Sequence, residues 1–190
     1  MIYIVSGMPR SGTTCMMQAL IAGGMDAAWS EDRDRMITAV SDEHYRFNPE
    51  SLLEVPLREY GELDFPLKYQ GKLIKVMLWG LDGLAVNPDG YRVIIMLRDP
   101  EESRQSYEAT GRRGNPNWYV QYQERIQRAV QQLKNRRDVL SVKVIDYVTL
   151  LNDTENELEF IDSTLNIGRA SKVINPDLYR FRRERLTVGI

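Results

Sequence analysis

A short segment near the start of the chain combines glycines, hydroxyl side chains and one cation, the residue types that bind an anion. Residues Ser6–Thr14 read SGMPRSGTT. Gly7 and Gly12 permit tight backbone turns, and the main-chain N–H groups of such a loop can converge on an anion at the start of a helix. Thr13 and Thr14 would add hydroxyl donors. The segment predicts an anion-binding loop, with an ordinary Gly/Pro turn as the simpler alternative.

The position of the single cation, Arg10, separates this loop from that of ATP-binding proteins. In an ATP-binding phosphate loop a lysine follows the second glycine directly. Here Thr13 follows Gly12, and Arg10 precedes that glycine by two residues. A guanidinium group offers a planar fork that matches phosphate oxygens. The pattern favours an anion held by Arg10, and a nucleotide or small-molecule kinase is the first competing interpretation.

The elements that must position this loop alternate between strand and helix. Apolar runs rich in β-branched residues predict strands at Met1–Val5, Lys72–Leu78, Arg92–Leu97 and Val139–Ile145. Helical patterns are predicted at Thr14–Ala22, Pro100–Thr110, Pro116–Arg137 and from Thr154 to about Leu165. This alternation predicts one three-layer α/β domain over residues 1–190, with a mainly parallel sheet of about five strands flanked by helices.

A second basic position is predicted at the same edge of the sheet. Ligands of open parallel sheets lie beyond the carboxyl ends of the strands. Arg10 follows the first predicted strand and Arg98 follows the third, so both guanidinium groups would face one crevice. Ser106 lies about two turns into the helix that Asp99 would cap. The alternatives are a surface ion pair of Arg98 with Asp99 or Glu102 and a solvated helix position for Ser106.

These residues together resemble the sulfotransferases that use 3′-phosphoadenosine 5′-phosphosulfate (PAPS). The run Pro-Arg-Ser-Gly-Thr-Thr after the first strand is similar to the 5′-phosphosulfate loop of that family. Arg98, with Ser106 eight residues later, resembles its 3′-phosphate motif, and Val142–Leu151 resembles a strand and turn near its C-terminus. The resemblance implies a P-loop fold and transfer of a sulfuryl group from PAPS to a hydroxyl or amine of a small-molecule or carbohydrate acceptor.

The resemblance also implies a role for each matched residue. The 5′-phosphosulfate would contact the loop residues Gly7, Pro9, Arg10, Ser11, Gly12, Thr13 and Thr14, and the 3′-phosphate would contact Arg98 and Ser106. Lys75 would stabilise charge on the leaving phosphate, so that Arg10 and Lys75 assist catalysis. A strand-edge residue with a packed stem is the alternative for Lys75. Because a sulfonate carries less charge than a phosphate, no metal is expected.

The general base is the position at which the chain departs from the family. Cytosolic members place a catalytic histidine two residues after the strand lysine, where this chain has Met77. Other branches use a carboxylate soon after the first helix, which makes Glu31 or Asp32 the first choice here. Any one of these acids could equally be a solvated surface group. The second choices are Asp42, Glu43 and His44.

The C-terminal basic loop of the family has no recognisable counterpart. Arg112-Arg113-Gly114 is one possible substitute. The other is an arginine-rich tail with Arg180, Arg182, Arg183 and Arg185. A non-catalytic module that keeps the nucleotide site is therefore the second competing interpretation, since Met77 removes the usual base.

Composition limits the classes of ligand, the kinds of site and the cellular location that we expect. The chain has 25 Lys+Arg against 27 Asp+Glu, and a net charge of −2 does not favour nucleic-acid binding. One cysteine, Cys15, and one histidine are too few for a disulfide framework or a zinc site. No apolar run approaches the roughly 18 residues of a membrane span, and the start of the chain lacks the layout of a signal peptide. A cytoplasmic location without membrane partners is expected, while the oligomeric state is left open.

Overall fold

The computed structural model describes residues 1–32, 53–109 and 121–176. Its strands form one parallel sheet in the order β2-β1-β3-β4. The strands are β1 (Ile2–Gly7), β2 (Leu73–Lys75), β3 (Tyr91–Leu97) and β4 (Val139–Asp146). The predicted α/β fold with a parallel sheet is confirmed. The predicted strand number of about five is slightly too high, because the sheet has four strands within the described residues.

Helices pack on both faces of this sheet. In chain order they are α1 (Thr13–Ala22), α2 (Phe65–Lys68), α3 (Pro100–Glu108), α4 (Tyr122–Asn135), α5 (Tyr147–Asn152), α6 (Thr154–Glu159) and α7 (Ile167–Ser171). Two 3₁₀ turns cover Leu57–Glu59 and Leu78–Gly83. None of the helices in the three described ranges is both long and apolar enough to cross a bilayer.

Alternation along β1 builds a separate core on each face. Ile2 and Ile4 pack in the core that contains α4, whereas Tyr3 and Val5 pack in the core that contains α1. Successive side chains of a strand point to opposite faces, so this central strand contributes to both layers. The buried residues of α4 recur at helical spacing: Tyr122, Ile126, Ala129 and Leu133. The result is the predicted arrangement of helix, sheet and helix.

Two predicted elements are shorter in the structure than in the prediction. The predicted strand Lys72–Leu78 forms only at Leu73–Lys75, because a 3₁₀ turn begins at Leu78. Within that turn, a Cβ on Gly80 would lie 2.2 Å from the Tyr60 ring, so the turn fits closely against this side chain. The helix predicted from Thr154 to about Leu165 ends at Glu159.

The end of that helix has a local cause. Asp162 accepts hydrogen bonds from both the backbone N–H and the hydroxyl of Thr164. An aspartate that bonds the backbone two residues further on favours a turn over a continuing helix. The prediction of a helix up to about Leu165 did not take this turn at Asp162 into account.

The register of the sheet brings three polar segments to one edge. Val5 pairs with Lys75 at the end of β2, and Gly7 pairs with Met96 near the end of β3. After β3, the carboxylate of Asp99 accepts hydrogen bonds from the backbone N–H groups of Glu101 and Glu102 and caps α3, as predicted. The loop after β1, the end of β2 and the start of α3 therefore meet at the carboxyl edge. That one domain spans all of residues 1–190 stays a prediction.

Candidate functional site

The loop between β1 and α1 has a compact, internally braced backbone. Both the backbone N–H and the hydroxyl of Ser11 donate to the carbonyl oxygen of Met8, at 3.2 and 2.7 Å. Arg10 and Gly12 adopt positive φ values of 66° and 96°. A left-handed conformation is unusual for a residue with a side chain and is found most often where the surroundings enforce it. The loop thus has a fixed shape that leads directly into the N-terminus of α1.

Both predicted loop glycines have no room for a side chain. A Cβ on Gly7 would lie 2.5 Å from Ser11 Oγ and 2.9 Å from the carbonyl oxygen of Met96. A Cβ on Gly12 would lie 2.5 Å from ring carbon Cδ2 of Tyr147. The first glycine therefore allows the loop to close on β3, and the second allows an aromatic ring to cover it.

Three residues predicted to share one site lie together. Arg10 Nε donates a hydrogen bond to Ser106 Oγ at 3.0 Å. Arg98 Nη1 donates to the main-chain carbonyl oxygen of Arg10 at 3.2 Å. Ser106 and Arg98 are buried, while Arg10 is half-buried. The end of β3 and the second turn of α3 thus both contact the loop.

Arg98 has a second set of contacts within the protein. Its Nε atom forms a buried ion pair with Glu102 Oε2 at 3.3 Å, and its guanidinium carbon lies 5.3 Å from the centroid of the Tyr147 ring. The ion pair with Glu102 is the one weighed as an alternative role for Arg98, although it is buried rather than exposed.

Lys75, at the end of β2, contacts the loop from the other side. Its Nζ atom donates to Thr14 Oγ1 at 2.9 Å and lies 3.4 Å from Glu54 Oε1. The side chains of Lys75 and Glu54 are 3% and 10% exposed. Lys75 is thus a buried cation beside the first turn of α1, which is where a helix N-terminus favours an anion.

The sequence interpretation missed Glu54. Its segment joins the edge of the sheet through a parallel bridge between Glu54 and Lys75, and Val55 N donates to the Lys75 carbonyl at 3.3 Å. On the other side, Ser30 N donates to the Glu54 carbonyl at 3.0 Å. Glu54 lies in a stretch without periodicity, so no local pattern indicated this pairing.

Tyr147 is a second residue that the sequence interpretation did not assign. It follows Asp146, which caps α5, and it lies between Gly12, Arg98 and Cys15. Burial raises the pKa of Tyr147 to about 12 and that of the Cys15 thiol to about 11, so both groups are uncharged at neutral pH. The available signal was its place in Val142–Leu151, directly after a predicted strand at the same edge of the sheet.

The residues predicted as the general base do not include Glu54, and the structure describes only some of them. Glu31 and Asp32 are exposed and follow Ser30, whose backbone contacts Glu54. Met77 is buried. The second choices Asp42, Glu43 and His44, the segment Arg112–Gly114 and the arginines of the tail lie outside the described residues.

A pocket of about 290 Å³ opens beside the loop. Met8 of the loop lies at one side, the 3₁₀ turn contributes Trp79 and Asp82, and α4 contributes polar side chains that include Arg125 and Arg128. A neighbouring pocket shares Asp82 with it and continues toward the end of α4. Within the described ranges, no group of three or more His, Cys, Asp or Glu residues could hold a metal ion.

Comparison with known proteins finds similarity in overall structure only. No protein-family model matches the chain, and neither does any curated protein. One similar solved structure is the sulfotransferase domain of the Synechococcus PCC 7002 olefin synthase, at 14% identity and a TM-score of 0.47 over 93% of this chain and 81% of that one. Another is an unliganded sugar kinase from Janibacter sp. HTCC2649, at 15% identity and 0.42 over 92% and 98%. Similarity of this degree assigns no function to the chain.

Proposed function

We propose that the protein is a sulfotransferase that transfers a sulfuryl group from PAPS to a hydroxyl or amine of a small-molecule or carbohydrate acceptor. The observation that carries the proposal is the contact of Arg10 with both Ser106 and Arg98 beside the loop. These side chains belong to the two sequence motifs that resemble the two phosphate-binding motifs of the family. Their meeting at one edge of the sheet supports a ligand with two anionic ends.

The residues at this edge fit PAPS chemically. One end of the site offers the loop N–H groups, the hydroxyls of Thr13 and Thr14 and the ammonium group of Lys75, which suit a phosphosulfate. The other end offers the Arg98 guanidinium and the Ser106 hydroxyl, which suit a 3′-phosphate. Bound there, PAPS would supply the sulfuryl group for transfer.

Each cation then has a distinct task. Arg10, on the loop, would orient the phosphosulfate. Lys75, hydrogen-bonded to Thr14, would stabilise charge on the phosphate that leaves. Such transfer depends on alignment and charge stabilisation more than on covalent help, so we propose that it needs no metal. Turnover in the presence of EDTA is expected to equal turnover without it, and loss of activity that added Mg²⁺ restores would contradict this expectation.

The pocket beside Met8 is the proposed acceptor site. Pockets for small ligands combine an apolar surface with a few placed polar groups, and this one combines Trp79 with Arg125, Arg128 and Asp82. The acceptor's proton would pass to a carboxylate, for which Glu31 and Asp32 remain the proposed residues. An acceptor seated between this pocket and the loop would present its hydroxyl or amine to the phosphosulfate.

Ligand-induced stabilisation tests the proposal against both alternatives. The melting temperature is measured with 3′,5′-ADP, with PAPS and with ATP·Mg²⁺, since a ligand at ~100 times its Kd adds about 2.7 kcal/mol to stability. We expect 3′,5′-ADP and PAPS to raise the melting temperature of the wild type and to have a much smaller effect on Arg10→Ala. A response to ATP·Mg²⁺ alone would favour a kinase.

Turnover separates an enzyme from a binding module. Protein that responds to PAPS is incubated with it and a panel of alcohols, amines and sugars, and formation of 3′,5′-ADP and sulfated product is followed by mass spectrometry. Product formation is expected with at least one acceptor class. Binding of 3′,5′-ADP without product from any acceptor would favour the non-catalytic module.

A further inference from the structure

We propose that Glu54 is an internal counter-anion for Lys75, which competes with an anionic ligand of the loop and thereby sets its affinity. The ion pair between these two residues is buried, at 3.4 Å, and the same ammonium group donates to Thr14 Oγ1 at 2.9 Å. Lys75 thus contacts an acid on one side and a loop hydroxyl on the other. The inference rests on the proposed function only in requiring that the loop binds an anion.

Backbone contacts hold both residues in place, so the side chains decide which of the two charges can move. Glu54 is held by its bridge to Lys75 and by the hydrogen bond from Ser30 N to its carbonyl, while Val55 N donates to the Lys75 carbonyl. The Glu54 side chain is short, whereas the ammonium group of Lys75 is carried on a flexible four-carbon stem. When an anion enters the loop, the lysine is therefore the partner that can shift toward it.

Electrostatics gives the direction of the effect. A buried ammonium group is costly unless a negative charge lies close to it. Glu54 supplies that charge in the structure, and a phosphate or sulfate at the start of α1 would supply it in the complex. Two anions that share one buried cation repel each other, so the Glu54 charge must weaken binding of the ligand. Glu54→Gln removes that charge and keeps the size of the side chain.

A double-mutant cycle tests this competition. Binding of inorganic pyrophosphate and of 3′,5′-ADP is measured by titration calorimetry on wild type, Glu54→Gln, Lys75→Met and the double variant. We expect Glu54→Gln to bind pyrophosphate about tenfold more tightly, within the roughly 5–150-fold range of coupled sites. In the Lys75→Met background the same change should have a clearly smaller effect, because the contested cation is absent and only the direct repulsion between Glu54 and the ligand remains.

Glu59 provides a matched control. It is a second buried glutamate paired with a lysine, since Glu59 Oε2 lies 2.6 Å from Lys68 Nζ and accepts a hydrogen bond from Tyr69. These partners lie in the segment that leads into the start of β2, at the opposite edge of the sheet from the loop. Glu59→Gln is expected to lower stability without changing the affinity for pyrophosphate.

Each outcome decides the inference. Unchanged or weaker binding by Glu54→Gln would overturn it, and so would a gain in affinity that is equally large in the Lys75→Met background. If Glu54→Gln does not fold, Glu54→Asp, which withdraws the carboxylate by one methylene, should give a smaller increase in affinity, and no increase would overturn the inference. Binding of pyrophosphate but not of 3′,5′-ADP would contradict the proposed function alone, whereas binding of neither ligand would overturn both.

Discussion

The Nε atom of Arg10 donates a hydrogen bond to Ser106 Oγ at 3.0 Å and joins residues that are 96 positions apart in the chain. The bond connects the loop after β1 to the second turn of α3. It aligns a cation and a hydroxyl whose roles were inferred from separate motifs. If both contact the same nucleotide, changes at either residue should affect its binding.

Ser106→Ala should weaken binding of 3′,5′-ADP about tenfold, because a hydrogen bond to a charged group contributes about 1.5–3 kcal/mol and part of this loss is compensated by water. Binding of pyrophosphate, which lacks the 3′-phosphate end, should change much less. The matched control is Ser103→Ala, one turn earlier on α3, where the buried hydroxyl lies beside buried Tyr122 instead. Titration calorimetry measures both affinities, and an equal effect of the two variants would contradict the assigned role of Ser106.

Gly12→Ala should destabilise the protein and abolish ligand-induced stabilisation. Gly12 has a φ of 96°, and a Cβ there would collide with the ring of Tyr147. Gly24→Ala is the control, because Gly24 has a φ of 104° but a Cβ there meets nothing within 4 Å. Both variants bear the backbone strain, and only the first bears the overpacking, which costs about 1–3 kcal/mol more. Urea unfolding measures the difference, and equal losses would show that the contact with Tyr147 is unimportant.

Glu31→Gln and Asp32→Asn should identify the general base. Loss of a positioned base lowers kcat by ~10²–10⁴ while binding of 3′,5′-ADP is unchanged. One of the two variants should show this pattern, and the other should retain most activity. Glu62→Gln, at another exposed acid, controls for the loss of one surface charge. Full activity in both variants would exclude both residues and leave the second choices, Asp42, Glu43 and His44, to be tested.

Protonation of Asp138 should contribute to the loss of stability at low pH. Hydrogen bonds from Arg136 and the backbone N–H of Asn87 hold the pKa of Asp138 below its usual value. Because the pKa is lower in the folded state, this stabilisation is present above about pH 4 and is lost as the pH falls through the folded-state pKa. Asp138→Asn should lower stability at pH 7 by about 1–3 kcal/mol and flatten the acid decline.

The comparison for this prediction is an exposed aspartate whose side chain bonds to an uncharged residue. Asp89 accepts a hydrogen bond from Gln70 at the surface. Urea unfolding between pH 2 and pH 7 should give Asp89→Asn the stability and the pH dependence of the wild type. A decline in Asp138→Asn as steep as that of the wild type would show that Asp138 does not contribute to acid unfolding.

Local signals predicted the elements of the fold and the residues of the loop. The strand candidates, the cap at Asp99 and the sharp turn at Gly12 each depend on a few adjacent residues, and each is present in the structure. After β2 the chain enters a 3₁₀ turn at Leu78, in which Gly80 packs closely against Tyr60 from another part of the sequence. Such packing has no local pattern, so the predicted strand was too long.

The charge balance of the site was the least predictable feature. Arg98 and Lys75 were expected as ligand-binding cations, and the structure pairs them with Glu102 and Glu54. Arg98 and Glu102 lie close together in sequence at the start of one helix, so their ion pair could be predicted as an alternative role for Arg98. The second pair depends on a segment that joins the edge of the sheet, and only the folded chain brings it there.

If the protein binds the proposed nucleotide, the bond from Arg98 Nη1 to the Arg10 carbonyl would affect its selectivity among nucleotides. Through this bond the Arg98 guanidinium group, at the proposed 3′-phosphate end, holds the loop main chain at the proposed phosphosulfate end. A nucleotide that pulls this group toward its own phosphate must strain or release that support, whereas a nucleotide without a 3′-phosphate leaves it untouched. Discrimination between such ligands would then depend on the shape of the loop as well as on the contact that distinguishes them.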